Sequence, residues 1–77
     1  MKAMETLMEI IRNFKPVDAQ SFNENTHLRR DLGLDSLQIA AITGDIEDAF
    51  GVEISDAEAA DAATVGDLLR LAKKEKE

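Results

Sequence analysis

The stretch Asp31-Leu32-Gly33-Leu34-Asp35-Ser36-Leu37, running on through Gln38-Ile39-Ala40-Ala41-Ile42-Thr43-Gly44-Asp45-Ile46-Glu47-Asp48-Ala49-Phe50-Gly51, decides how this chain folds. At Ser36 a polar loop gives way to a patterned segment. Ile39, Ile42, Ile46 and Phe50 recur at spacings of three and four, which places them on one side of a helix. Asp35 is a good N-cap, and Gln38 three residues later completes a capping-box pattern. Gly51 is a natural stop. The spacing predicts a helix from Ser36 to about Phe50, with the four large apolar side chains facing a core.

Working outward, the same signals recur. Before the motif, Met4, Leu7, Met8, Ile11 and Phe14 form one apolar stripe, so a first helix is expected from about Lys2 to Phe14. Lys15-Pro16 ends it, because the residue before proline is pushed out of helical geometry. Residues 16 to 34 form a long connection with turn formers at Asn23, Asn25, Thr26 and Gly33 and apolar anchors at Phe22, Leu28, Leu32 and Leu34. A connection of that length in a small domain is unusual and often functional. After the motif, Val52 and Ile54 alternate with Glu53, too short a run for a sheet. Ser55-Asp56-Ala57-Glu58 is a second capping box and opens a short third helix. Thr64-Val65-Gly66-Asp67 is a third, with Asp in place of the usual Glu or Gln. It opens a fourth helix with Val65, Leu68, Leu69 and Ala72 inward. The expected fold is all-α: a single-domain four-helix bundle over residues 1–77, with a short third helix and a long loop between helices one and two.

Composition narrows what such a bundle does. The chain has 77 residues and no Cys, so its small core has no disulfide to reinforce it. The net charge is −7, and its placement says more than its sum. From Asp31 to Leu69 there are ten carboxylates and no Lys, Arg or His. A continuous negative field is a poor match for nucleic acid or anionic lipid and a good one for basic protein surfaces. No run of apolar residues approaches the length of a membrane span. Met1-Lys2 leads into a mixed helix, not a signal-type apolar run, so a cytoplasmic monomer without membrane insertion is expected.

The second helix has a second face. Leu37, Ala41, Gly44 and Asp48 lie opposite the isoleucines, with Ala40 and Glu47 at the edge and acids at Asp45, Glu47 and Asp48. A smooth apolar centre inside a charged rim is the layout of a docking surface. Scattered surface apolars are also ordinary. Gly44 costs about 1 kcal/mol relative to Ala in mid-helix, which close approach of a partner or drift at an exposed site would equally explain.

Ser36 admits three roles. As a nucleophile it needs a general base and an oxyanion site. The one imidazole is His27 in the preceding loop, and there is no Gly-x-Ser-x-Gly elbow and no Lys nearby. As part of a cap the Asp35-Ser36 pair needs no further role. As an attachment point, Ser36 is at the first helical position, where a phosphodiester meets unpaired backbone N–H groups and the positive end of the helix dipole. A group attached there could carry the thiol that this chain lacks.

Asp31-Leu32-Gly33-Leu34-Asp35-Ser36-Leu37 resembles the phosphopantetheine attachment motif of acyl carrier proteins. Ile46-Glu47-Asp48-Ala49-Phe50-Gly51-Val52-Glu53-Ile54 is similar to that family's end of helix two, and Thr64-Val65-Gly66-Asp67-Leu68 to its opening of helix four. The similarity runs from about Leu28 to Ala72. It implies that Ser36 receives 4′-phosphopantetheine from coenzyme A through a phosphopantetheinyl transferase, with Asp35 and Leu37 completing the motif. The arm's thiol would hold acyl groups as thioesters for acyl-transferring and chain-elongating enzymes, as in fatty-acid biosynthesis. These would dock on the second helix and its rim: Leu37, Gln38, Ala41, Gly44, Asp45, Glu47, Asp48 and Asp56. An acyl chain would fold back among Ile39, Ile42, Ile46, Ile54 and Leu68, beside the small residues Ala57, Ala59, Ala60, Ala62 and Ala63. The resemblance assigns no catalytic residue.

The chain departs from that family's fatty-acid carriers at Gln38 and Ala41, where those proteins place acids, and adds Arg29 and Arg30 just before the motif. Lost rim charges lower on-rates for basic partners more than they abolish binding. A carrier for a polyketide, aminoacyl or lipid-modifying pathway therefore stands beside the fatty-acid reading, and an unmodified helical adaptor stands as the alternative from another class. His27 is assigned no site, since metal binding needs further ligands, and no EF-hand spacing is present.

Overall fold

The structure is a computed structural model that describes residues 2–74. Four helices follow in chain order: α1 (Lys2–Arg12), α2 (Ser36–Phe50), α3 (Asp56–Asp61) and α4 (Val65–Ala72). Among the described residues there is no strand. α2 packs against all three others and α1 against α4, while α3 touches only α2 among the helices. The core joins Leu7, Ile10 and Ile11 of α1, Ile39, Ile42 and Ile46 of α2, and Val65, Leu68, Leu69 and Ala72 of α4, closed by Phe22, Leu28 and Leu34 from the long loop.

The first helix ends two residues earlier than its apolar stripe predicts. Beyond Arg12 the N–H groups of Asn13 and Phe14 reach back only three residues, to the carbonyls of Ile10 and Ile11. The helix tightens and stops ahead of Pro16. Ile10 is buried, while Met4, Met8 and Phe14 are only half-buried, so the buried face is centred on Leu7 and Ile11. α2 keeps its expected bounds. Asp35 Oδ1 accepts from Gln38 N–H at 2.8 Å and Gln38 Oε1 accepts from Asp35 N–H at 3.1 Å, which is the full capping box. At the other end Gly51 takes φ 68°, a left-handed geometry that residues with a Cβ resist, and its N–H closes on Glu47 O.

The long loop is held against the start of α4. Its His27 pairs with Thr64 in a two-residue antiparallel bridge. Leu28 N–H donates to Ala63 O, and Val65 N–H to Thr26 O, each at 2.9 Å. Gly66 N–H donates to Glu24 O at 2.9 Å. These bonds satisfy the first N–H groups of α4, which no helical carbonyl can reach. Gly66 is where the loop comes closest: a Cβ there would sit 3.1 Å from the Glu24 carbonyl oxygen. Between Leu28 and the motif, Gly33 adopts φ 71°, and Leu34 N–H returns to Leu28 O at 3.0 Å. This turn delivers the chain to the start of α2.

Asp67 completes the α4 cap. Its Oδ2 accepts from Ala63 N–H at 2.8 Å and Thr64 N–H at 3.1 Å, and its other oxygen pairs with Arg70. The Ala63 amide, followed by the Thr64 amide and the Arg70 charge, holds the Asp67 carboxyl below its ordinary range against the opposing effect of burial. A depressed pKa contributes stability that is fully present above the unfolded value and is lost as pH falls through the folded one. Asp67→Asn is therefore expected to cost about 1 kcal/mol at neutral pH. The thermal-melting curves of the two proteins should converge in acid. Parallel curves down to the lowest pH would show that the carboxylate charge contributes nothing.

Candidate functional site

Ser36 stands at the first turn of α2, exposed, with its hydroxyl outside the core. Three features hold it there. Asp35 is committed to the cap, so its carboxylate folds forward onto the first turn of α2. The Gly33 turn fixes the entry of the chain, and Leu34 on one side and Ile39 on the other are buried. Among the described residues no protein acceptor takes the N–H groups of Ser36 and Leu37, which leaves the positive end of the helix open beside the hydroxyl. The hydroxyl accepts one hydrogen bond, from Arg29 Nη2 at 3.1 Å.

Ser36 also opens onto a groove of about 350 Å³ between α2 and α3. Arg29 and Ser36 are among its lining, with Ile54 just before α3 and Asp56, Ala59 and Ala60 of α3. The α2 wall is Ile39, Ala40, Thr43, Gly44 and Glu47. α3 has no buried residue of its own, so little apolar burial opposes its displacement from α2. It is held by two polar ties. Glu47 Oε2 accepts from Ile54 N–H at 2.8 Å, and Lys74 Nζ donates to Glu53 O at 3.0 Å and to both Glu58 carboxylate oxygens at 2.9 Å. The Lys74 bond is the main cause that holds the Glu58 carboxyl below its ordinary range.

The residues expected to line an acyl pocket separate into two groups. Ile39 and Ile54 face the groove. Ile42, Ile46 and Leu68 are fully enclosed in the core and lie behind that wall. Of the alanines after α2, Ala59 and Ala60 line the groove, Ala62 is buried in the core, Ala63 is half-buried and Ala57 faces solvent.

The residues expected to meet partners differ in exposure. Leu37 is 83% exposed, an unusual position for a large apolar side chain. Ala41, Asp45, Asp48 and Asp56 are exposed too. Gln38 and Glu47 are half-buried and their side-chain oxygens already accept backbone N–H groups. Gly44 faces the groove, with open space where a Cβ would be.

Sequence patterning placed Ala40 only at the edge of the outward face, and missed its place in the groove, Thr43, and the contact of Arg29 with Ser36. Ala40, Thr43, Gly44 and Glu47 recur at three and four, a third stripe between the core and the outward face, so a signal was there. Arg29 lies in the loop seven residues before Ser36, where no helical period applies, and only the intervening turn brings the two together. Among the described residues no group of His, Cys, Asp and Glu is arranged to hold a metal ion, and no helix is long and apolar enough to cross a membrane. A family model described as a phosphopantetheine attachment site matches residues 5–72 of the 77-residue chain.

Proposed function

This chain belongs to the phosphopantetheine-attachment family, whose members carry covalently attached 4′-phosphopantetheine, and we propose that in it Ser36 takes the arm and the domain carries acyl groups as thioesters to biosynthetic enzymes. One observation carries the reading: the exposed Ser36 hydroxyl stands at the open end of α2 and lines a groove that includes the small residues Ala40, Gly44, Ala59 and Ala60. The residues present fit the group. A phosphodiester on Ser36 Oγ meets the free N–H groups of the helix end and the Arg29 guanidinium. When bound, the arm supplies the thiol chemistry that a chain without Cys cannot.

Each nearby residue then has a task. Asp35 fixes the start of α2 and so presents the Ser36 hydroxyl. Ile39, Ala40, Thr43 and Gly44 offer an apolar and narrow wall along which an aliphatic chain can be withdrawn from water. Glu47 and Lys74 hold α3 in place as the opposite wall. His27 accepts from Arg30 N–H through Nδ1 at 3.2 Å, so the one imidazole is occupied in its own turn, which favours a carrier over a catalyst.

A dedicated partner enzyme, rather than a general fatty-acid synthesis enzyme, is favoured by the uncharged Gln38 and Ala41 and by the arginines before the motif. Leu37 is then the main apolar anchor. Leu37→Ala is expected to lower kcat/KM for arm transfer by a phosphopantetheinyl transferase about tenfold. The loss should be the same at low and high salt, with the melting temperature unchanged. A Gln38→Asp, Ala41→Glu variant should instead gain rate with a basic partner, and only at low salt. Unchanged transfer by Leu37→Ala would remove Leu37 from the docking surface.

The experiment that tests the proposal is intact mass after incubation with coenzyme A, Mg²⁺ and a broad-specificity transferase. One arm per chain is expected on the wild type and none on Ser36→Ala. No addition to either, with a control carrier loaded in parallel, would overturn the attachment reading and leave an unmodified adaptor.

A further inference from the structure

Arg29 and Arg30 are adjacent cations at the edge of a long acidic stretch, and the fold uses them differently. The turn made by Gly33 N–H to Arg29 O and Leu34 N–H to Leu28 O, each at 3.0 Å, folds residue 29 back over the start of α2. Arg29 Nη2 reaches Ser36 Oγ at 3.1 Å. The side chain of Arg30 makes no such contact; its hydrogen bond is from the backbone N–H to His27.

The carboxylates nearest in sequence do not pair with Arg29. Asp31 Oδ2 accepts from His27 N–H and Asp35 Oδ1 from Gln38 N–H, each at 2.8 Å. The ion pairs among the described residues are Arg70 with Asp67 and Lys74 with Glu58. Among the described residues the Arg29 guanidinium thus touches a neutral hydroxyl and forms no ion pair, although Glu47 and Asp56 line the same groove. A planar fork of donors matches phosphate oxygens far better than it matches one hydroxyl. A phosphodiester built on Ser36 Oγ puts its two non-bridging oxygens two bonds from the atom that Arg29 already touches.

We propose that Arg29 is a phosphate clamp: its guanidinium binds the phosphodiester attached at Ser36 and directs the arm into the α2–α3 groove. The inference rests on the attachment reading above. Arg29 and Ser36 both line that groove, so a phosphate held between them leaves the rest of the arm beside a cleft whose other walls include Ile54 and Ala59. The clamp is exposed, so its strength falls with salt. It is a positioning device for the cargo and takes no part in bond making.

The test uses full-length wild type, Arg29→Gln, Arg29→Lys and Arg30→Gln, each loaded from coenzyme A and checked by intact mass. The ³¹P resonance of the phosphodiester is then recorded at low and high NaCl, with the urea-unfolded loaded chain as the free reference. The wild type should be displaced from the reference and move towards it with salt. Arg29→Gln should lie near the reference at both salts with a narrower line. Arg29→Lys should fall between them, and Arg30→Gln should behave as wild type. Loading on all four chains with Arg29→Gln coincident with wild type would overturn the clamp alone. An equal change in Arg30→Gln would do the same, by reducing the effect to general charge. Loading on none of them would overturn the attachment reading, and the clamp with it.

Discussion

Ser36→Ala is expected to accept no arm at all while folding as well as the wild type. The two halves of that statement come from different atoms. Loading needs a hydroxyl oxygen at position 36, and alanine has none. Folding needs the cap, and the cap is Asp35 Oδ1 on Gln38 N–H with Gln38 Oε1 on Asp35 N–H. Ser36 contributes neither of those bonds. Its one side-chain bond, from Arg29, is on the surface, and alanine is a good residue at the start of a helix. The change in stability should lie within about 0.5 kcal/mol. Asp35→Ala is the complementary control. It keeps the hydroxyl but loses the cap, at a cost of about 1 kcal/mol, and should load more slowly without becoming refractory. Urea titration and intact mass on the two variants separate the roles. An unfolded Ser36→Ala would mean that the hydroxyl is structural, and its failure to load would then carry no weight.

The helices were readable because each is announced locally. Capping boxes at Asp35, Ser55 and Thr64 are all formed in the structure, since their bonds span only three residues. The core face of α2 followed from helical period, and Ile39, Ile42 and Ile46 are all buried. What could not be read was anything set by a long sequence separation. The bonds from the loop to the start of α4 join residues about forty positions apart, and no pattern in either segment announces the other. The same limit applies to the groove. Ile42, Ile46 and Leu68 share its apolar character with Ile39 and Ile54, and their depth depends on how α1 and α4 close behind α2. Period gives the side of a helix that is covered; it does not give what covers it. Pro16 made the end of α1 visible, but placed it two residues late, because the last turn tightens before the proline is reached.

Leu28→Ala is expected to be the most damaging single substitution outside the attachment serine, through stability. Leu28 is fully buried although it belongs to a loop. Its N–H is bonded to Ala63 O and its carbonyl to Leu34 N–H, so the side chain cannot shift to fill a gap without breaking one of those bonds. A core Leu→Ala change costs about 2–5 kcal/mol, and most where the site cannot collapse. A chain of this size has roughly 4–12 kcal/mol in all, and this one has no disulfide to limit the loss. The urea midpoint should fall by a third or more. The damage should also be local in origin. Leu28 is followed directly by Arg29, and both lie in the turn that sets Ser36. Hydrogen exchange at the Leu28 and Val65 amides should therefore quicken more than at the Ile42 amide inside α2. Loading measured well below the new midpoint should slow by more than the fraction unfolded accounts for, because the loop opens before the bundle does. A loss below about 1 kcal/mol, or uniform acceleration of exchange at all three amides, would mean that the loop rests on the bundle without organising the site.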